Sequence, residues 1–438
     1  MAQFRTDIKK LDGSNLVTRF EVQMLNDRLT PAGTLTDAFG RMRVSEPLTL
    51  FDSQHRYQDN GKFNTANSAG CNTVYQANES TIDLNVGTTA NTHVYRETTK
   101  VFAYQPGKSL LVMNTFAMNT PKANLRQRVG YFSTQNGIFL ENDGTTNYLV
   151  LRSYANGTVV DTRVAQTNWN VDTFDGNGYS AQGSGPEHGS GLDVSKTNIF
   201  WIDVEWLGVG DVRCGFVVDG KLVPAHIFHN DNLRTTVYMT TACLPIRYEI
   251  ENTGTTASNS TMKQICSTVI SEGGYQLFGK QFGIGRPLAS PKDLTTAATF
   301  YPVVSIRLHA NRLDSIVIPR KVTFVGVTNN TNYRYKVVVN PTLDANASWV
   351  NATSDGVSSV EYDFSATGYT GGRDVVIGYS TVSSGEKAQA TTLEDGLFRF
   401  QLERNSFTNT AVVFSLVATG AANGDDALGA IEWEEIFQ

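Results

Sequence analysis

The residues whose types and spacing come nearest to catalytic chemistry lie at positions 201–205, Trp-Ile-Asp-Val-Glu. Asp203 and Glu205 are two residues apart, and on a β-strand this spacing places both carboxylates on one face. Two carboxylates on one face could serve as general acid and general base. Trp201 shares that face, where its ring could stack on a sugar. The simpler interpretation is an outward-facing polar pair on a half-buried strand.

The same five residues resemble the Glu-x-Asp-x-Glu strand of retaining β-glucanases of the laminarinase type, which use a lectin-like sandwich. In that family the first Glu is the nucleophile and the last is the acid/base, with the two carboxyls about 5–5.5 Å apart. Trp201 stands at the nucleophile position here, and only Asp203 and Glu205 match. A lone acid/base cannot form the covalent intermediate. We therefore expect no enzyme activity, while contact of these three residues with a glycan stays open.

A second group of oxygen-bearing side chains consists of Asp172, Asp175 and Asn177. Calcium binds ligands of this kind, but the spacing departs from an EF-hand loop and no bidentate Glu follows at the right distance. A turn is the expected structure, with calcium as the alternative. His226 and His229 are expected to point to opposite faces in a structural or surface role. No cofactor is expected, because P-loop, dinucleotide and Gly-x-Ser-x-Gly motifs are missing.

The element that must position residues 201–205 is the first strand of a meander spanning residues 198–230. Apolar and polar residues alternate in its first segment with the period of a half-buried strand. Glycines at 208 and 210 allow one tight turn, and Asp219-Gly220 is a strong signal for a second. The segment therefore predicts three antiparallel strands of a β-sandwich.

Short alternating segments separated by Gly, Asn and Asp recur along most of the chain and predict an all-β fold. Residues 61–275 are predicted to form a concanavalin-like jelly-roll sandwich, in line with the glucanase resemblance. Residues 276–295, rich in Gly and Pro, are predicted to be a linker. Residues 296–438 are predicted to form a second β-sandwich. No long 3.6-residue period is present, so helix should be scarce.

Residues 1–60 differ from the rest, because their apolar positions are scattered and prolines and glycines interrupt any long element. Such a segment cannot bury enough apolar surface by itself to offset its ordering entropy. We expect an extended arm that docks on a neighbouring subunit or partner, and the alternative is a strand packed on its own domain. The side chains expected to dock are Phe39, Arg41, Arg43, Leu50 and Phe51.

Bulk composition excludes several classes of protein. Charged residues make up 18% of the chain and the formal net charge is −6, without a Lys/Arg cluster that would indicate nucleic-acid binding. The four cysteines show no zinc spacing and are expected to be free, buried thiols, which fits a reducing cytoplasm. The N-terminus lacks the apolar core of a signal peptide, and no run of about 18 apolar residues predicts a membrane span.

Three stretches together resemble virion structural proteins of tailed bacteriophages, fibre- or tail-associated and cyanophage-like. They are residues 35–54 (LTDAFGRMRVSEPLTLFDSQ), the region from residues 128–140 (RVGYFSTQNGIFL) through 164–170 (VAQTNWN) to 244–254 (LPIRYEIENTG), and residues 427–435 (ALGAIEWEE). This resemblance implies a non-enzymatic component of the tail, neck or fibre apparatus, assembled in the host cytoplasm. The arm would dock on other virion proteins, and the sandwiches would project outward.

The resemblance also implies a homo-oligomer, and trimers are usual for phage fibres and spikes. Host-surface glycan is an expected contact. Two alternatives stay open at this point: a capsid decoration protein that clamps capsomers with the same arm, and a lectin-like adhesin module that binds host glycans.

Overall fold

A computed structural model describes residues 46–177, 191–274, 276, 279–383, 390–392 and 400–437, and the two short strands Ile8–Lys9 (β1) and Asn15–Leu16 (β2). The chain divides into two compact units, residues 1–46 and 47–438. In the first unit, β1 pairs antiparallel with β2. The second unit contains two β-sandwiches, and its described part includes a turn of 3-10 helix at Gln166–Asn168 and no α-helix.

The first sandwich contains fifteen strands. They are β3 (Leu48–Ser53), β4 (Phe63–Asn67), β5 (Asn72–Gln76), β6 (Thr81–Val86), β7 (His93–Thr98), β8 (Leu110–Ala117), β9 (Leu125–Phe132), β10 (Gly137–Asn142), β11 (Asn147–Ser153), β12 (Val160–Ala165), β13 (Asn198–Val204), β14 (Val212–Val218), β15 (Lys221–Phe228), β16 (Ile246–Asn252) and β17 (Ser260–Ser271).

These strands form two antiparallel sheets that enclose one core. The seven-stranded sheet has the order β12-β11-β10-β9-β16-β7-β4, and the eight-stranded sheet has the order β15-β14-β13-β8-β17-β6-β5 with β3 also on β17. The chain changes sheet eight times, between β3 and β4, β4 and β5, β6 and β7, β7 and β8, β8 and β9, β12 and β13, β15 and β16, and β16 and β17. This repeated crossing is the jelly-roll arrangement, so the predicted all-β class and first sandwich are confirmed.

The predicted meander is present as β13, β14 and β15, which pair in that order. Its apolar positions Phe200, Ile202 and Val204 are fully buried between the sheets. Asp219 and Gly220 both have positive φ, 49° and 72°, as a two-residue hairpin turn of type I′ requires.

The second sandwich contains the remaining strands. They are β18 (Lys280–Gly285), β19 (Lys292–Leu294), β20 (Tyr301–Leu308), β21 (Ile316–Gly326), β22 (Thr331–Val339), β23 (Thr342–Leu343), β24 (Val350–Asn351), β25 (Val360–Asp363), β26 (Tyr369–Thr370), β27 (Arg373–Val382), β28 (Ala390–Thr392), β29 (Arg404–Asn405), β30 (Thr410–Ala411), β31 (Phe414–Gly420) and β32 (Asp425–Phe437).

One sheet of this sandwich has the order β18-β32-β21-β28 with β19 also on β32, and the other has the order β24-β25-β20-β31-β22-β27. The pairs β23–β26 and β29–β30 stand apart from both. A separate apolar core lies between the two sheets, and Phe324, Phe414 and Trp433 are buried in it. The predicted second sandwich is therefore confirmed.

The segment predicted as a linker, residues 276–295, contains two strands. Both β18 and β19 pair with β32 and belong to the second sandwich. Phe282 and Ile284 alternate with glycines and pack against the core. The glycines suggested a flexible connection, but a strand can carry glycine on its exposed face when a long neighbouring strand holds its backbone.

The end of the predicted arm also belongs to a sandwich. Strand β3 pairs with β17, and the buried ring of Phe51 lies 4.9 Å from the ring of Phe102. Leu50 packs against the same core. These two residues therefore stabilise their own sandwich, and their predicted docking role is wrong. The arm residues Phe39, Arg41 and Arg43 lie outside the described residues. Among those that are described, no helix has the length and apolar character that a membrane crossing needs.

Candidate functional site

Trp201 lies on the outer face of β13, yet its side chain is only 5% exposed. Its indole Nε1 donates a hydrogen bond to the backbone oxygen of Phe216, 3.2 Å away on β14. The ring leans over Gly215, where a Cβ atom would come within 2.8 Å of the Trp201 ring. Because the ring is covered in this way, no face is open for a sugar, and the predicted stacking role is wrong.

Asp203 and Glu205 have different surroundings. Asp203 is buried and accepts a hydrogen bond from Arg213, its cross-strand neighbour on β14. Burial raises the pKa of the Asp203 carboxyl, and Arg213 opposes that rise. Strand β13 ends at Val204, so the exposed Glu205 belongs to the following turn, where its backbone N–H donates to Asp211. The charge of Glu205 also raises the pKa of Asp203, so the two carboxylates lie within electrostatic reach of each other but differ in exposure and partners.

The calcium candidates form turns. Asp172 Oδ1 accepts the backbone N–H of Phe174 at 2.8 Å, and Asp175 Oδ1 accepts that of Asn177 at 2.9 Å. A carboxylate that accepts the N–H two residues further along makes an Asx turn. The contacts agree with the simpler expectation for Asp172, Asp175 and Asn177.

The two candidate histidines separate as expected. His226 is buried, its Nδ1 accepts the backbone N–H of Asn170, and burial lowers its pKa to about 4. His229 is exposed, with Nδ1 2.9 Å from Asp211 Oδ2. Asp231 brings a third ligand atom within 4.8 Å of these two. Sequence reasoning missed Asp211, because the β14–β15 hairpin brings it to His229, and the contacts describe a surface ion pair.

A larger set of charged side chains crosses the outer face of the seven-stranded sheet, and here we name it the charge ladder. Its members alternate in sign and each contacts the next: Asp143, Arg163, Glu141, Arg128, Glu249, Arg247, Glu97, Arg404 and Asp314. Strand geometry produces it. In β16, for example, Arg247 and Glu249 point outward while Tyr248 and Ile250 fill the core.

The contacts of the ladder are short, and they give every carboxylate oxygen of its three glutamates a hydrogen-bond donor. Arg128 lies 2.5 Å from Glu141 and 3.2 Å from Glu249. Arg247 lies 2.6 Å from Glu249 and 2.7 Å from Glu97. Every carboxylate oxygen of these glutamates accepts a hydrogen bond from an arginine. No glutamate of the ladder is therefore free to act as a base or nucleophile.

The central members of the ladder are buried although they lie on an outer face. From Glu141 to Arg404, their exposed fractions are between 1% and 8%. Aromatic rings cover the guanidinium groups: Phe139 lies under Arg128, and Phe407 under Arg247. Burial alone would raise the pKa of Glu249, but Arg247 and Arg128 together hold it below its usual range. These groups are ionised partners whose separation would be costly.

The ladder ends in the second sandwich and joins the two sandwiches. Arg404, in β29, lies 2.7 Å from Glu97 of the first sandwich and 2.9 Å from Asp314 of the second. Its Nη1 also donates to the backbone oxygen of Thr98, and its backbone N–H donates to that of Thr99. A small apolar cluster completes the junction, formed by Val101, Ala103, Ile316 and Ile318.

No protein-family model matches this chain, and no curated protein matches it. Solved structures of low sequence identity are similar to it. An endo-β-1,4-glucuronan lyase from the fungus Trichoderma reesei is 10% identical, with 51% of this chain and 95% of that chain covered and a TM-score of 0.33. A β-glucanase from Bacillus licheniformis is 11% identical, with 52% and 99% covered and a TM-score of 0.29.

Arcelin-5, a lectin-like defence protein from Phaseolus vulgaris, is 9% identical, with 52% of this chain and 99% of that chain covered and a TM-score of 0.31. These similarities are to enzymes and to a lectin-like protein alike.

Proposed function

We propose that this chain is a non-enzymatic structural component of a tailed-phage virion, located on the tail, neck or fibre apparatus. The observation that carries the proposal is the charge ladder. Two domains of one chain ordinarily move relative to each other unless a large interface holds them. Here buried ion pairs and an apolar cluster fix one sandwich on the other. A stiff two-sandwich body suits a part of an assembled particle, and the resemblance of the three sequence stretches to virion proteins supports this role.

The residues before β3 would dock on other proteins of the particle. The sandwich incorporates Leu50 and Phe51, so the proposed docking segment is residues 1–46, with Phe39, Arg41 and Arg43 as its contacts. Other virion proteins are the proposed partners, and assembly would take place in the host cytoplasm. The four cysteines, all of which lie in described residues, are free thiols, but only Cys71 and Cys214 are buried as expected, while Cys243 is half-buried and Cys266 is exposed. The free state is compatible with a reducing compartment.

The proposed absence of enzyme activity is supported by the surroundings of residues 201–205. The Trp at the nucleophile position is buried, and Asp203 is held by Arg213. A retaining glycosidase needs two free carboxyls about 5–5.5 Å apart, and this strand offers one exposed carboxylate, Glu205.

A cryo-EM map of the intact particle with this chain fitted would test the proposal. Density on the tail, neck or fibre is the expected result, with residues 1–46 at the contact with a neighbouring protein. Density spread over the capsid shell in many copies would instead make the chain a decoration protein. Absence of the chain from purified particles would overturn the virion role, and glycan binding by the isolated protein would then favour the adhesin alternative.

A further inference from the structure

Most sheet edges in the described part of the chain are protected against pairing with another strand. Edge strands β4 and β5 have five residues each, and β24 has two. Edge strand β15 is longer, but it begins with Lys221, contains Pro224 and pairs with β14 through a register shift. Short length, lysine, proline and bulges are the devices by which natural sheets avoid adding strands.

Strand β27 has one of these devices, a bulge at Val375 where its pairing with β22 shifts register, and lacks the others. It is the last strand of the six-stranded sheet, it has ten residues, and among the described strands it pairs with β22 alone. Its sequence, RDVVIGYSTV, contains neither proline nor lysine, and its charges are confined to the first two positions. One of these, Asp374, already pairs with Lys336 at 2.6 Å. Beyond the bulge at Val375, the seven positions 376–382 present an uncharged edge.

The outer face of β27 also carries apolar surface. Ile377 is 52% exposed and Tyr379 is 73% exposed. They lie two residues apart and therefore point to the same side, next to Lys336 and Arg334 of β22. A β-branched residue and an aromatic residue on one face of an edge are the types that form stabilising cross-strand pairs.

We propose that β27 pairs antiparallel with β27 of a second copy of this chain, about a twofold axis at Gly378. In this register Ile377 lies opposite Tyr379 of the second copy, and Tyr379 lies opposite its Ile377. Asp374 lies opposite Val382, so no like charges face each other. The two six-stranded sheets then continue into one, through an interface that uses the same residues on both sides.

Gly378 suits the centre of this interface. Its neighbour on the core side is Tyr335, and a Cβ atom at residue 378 would come within 2.2 Å of the Tyr335 ring and hydroxyl. Because residue 378 is glycine, the Tyr335 ring can pack directly against the backbone of β27 at the edge of the sheet. The proposal gives a twofold dimer, whereas the resemblance to phage fibres implies a trimer.

Sedimentation equilibrium of the full chain over a concentration series tests the pairing. The wild type should form a dimer, and Ile377→Lys should weaken it at least about tenfold because the lysine faces Tyr379 of the second copy. Val350→Lys is the matched control, because Val350 is 49% exposed on the opposite edge of the same sheet. Circular dichroism of both variants checks that they fold. A wild type that stays monomeric, or any oligomer that Ile377→Lys leaves unchanged, would overturn the proposal.

Disulfide trapping tests the register. Cys266 is exposed, so the experiment uses a Cys266→Ser background. A mixture of Ile377→Cys and Tyr379→Cys chains should form a crosslinked dimer under mild oxidation. Either variant alone should not, because a residue and its own copy lie diagonally, about 7–8 Å apart, beyond the usual disulfide range of about 4.4–6.8 Å. Crosslinking of either variant alone, or no crosslinking in the mixture, would overturn the pairing about Gly378.

Discussion

At the scale of single residues, Trp201 has a structural role although it lies on the outer face of its sheet. Its hydrogen bond to Phe216 and its contact with Gly215 bind β13 to β14. Trp201→Ala should lower the free energy of unfolding by about 3–5 kcal/mol, the cost of truncating a buried large aromatic residue. Urea denaturation measures this loss. Retained stability together with lost affinity on a glycan array would restore the sugar-stacking role.

His55 provides the pH dependence expected at this scale. It is buried, neither ring nitrogen has a hydrogen-bond partner in the described structure, and burial lowers its pKa to about 4. The unfolded chain, with a histidine pKa of about 6.5, then binds a proton that the folded protein does not. The free energy of unfolding should therefore fall as the pH drops from about 6.5 to about 4.

His55→Phe should flatten that fall, because phenylalanine places a ring of similar size beside Phe63 without taking up a proton. His226 keeps part of the slope, since burial lowers its pKa to about 4 as well. Chemical denaturation at several pH values measures the effect, with the exposed His229→Gln as control. An unchanged slope in His55→Phe would contradict this account.

At the scale of elements, β3 marks where the sandwich begins. Deletion of residues 1–46 removes the first compact unit and leaves β3 paired with β17. This shortened chain should fold normally and fail to enter particles. Deletion of residues 1–60 also removes Phe51 and Asp59, the ion-pair partner of buried Arg96, and should cost more than the broken ion pair alone, which costs about 3–5 kcal/mol. Incorporation assays and thermal unfolding of the two deletions separate docking from stability, and normal incorporation of the shorter deletion would contradict the docking role.

The strands that sequence reasoning found are those whose signal is local. In β13 the apolar and polar residues alternate, and Asp219-Gly220 fixes the next turn. β18 has the same alternation, but glycines fill its exposed positions, and its partner β32 lies far along the chain. The charge ladder could not be predicted from the sequence either, because its members are far apart along the chain. Glu97, Arg128 and Glu249 become neighbours only through the register of three strands.

At the scale of the whole molecule, Arg404 decides whether the two sandwiches behave as one body. Arg404→Met keeps the bulk of the side chain and removes its bonds to Glu97, Asp314 and Thr98. Breaking a buried pair in this way should cost about 3–5 kcal/mol. Calorimetry should then show two unfolding transitions, whereas the wild type should show one.

Arg307→Met is the control for this change. Its pair with Glu361 lies within the second sandwich and is partly exposed, so its loss should cost at most about 1 kcal/mol. Equal effects of the two substitutions, or a single transition in Arg404→Met, would mean that the ladder does not couple the sandwiches.

The position of β32 has a consequence for the order in which the molecule is made. All strands of the first sandwich are complete at Ser271, so that sandwich can fold while later residues are still being translated. The second sandwich cannot be completed at that stage. Strands β18 and β19 both pair with β32 (Asp425–Phe437), which lies between β18 and β21 and is translated last. Glu97 is therefore already in place on the folded first sandwich when Arg404 is translated. The ion pair between them attaches the second sandwich, which folds later, to a surface that has already formed.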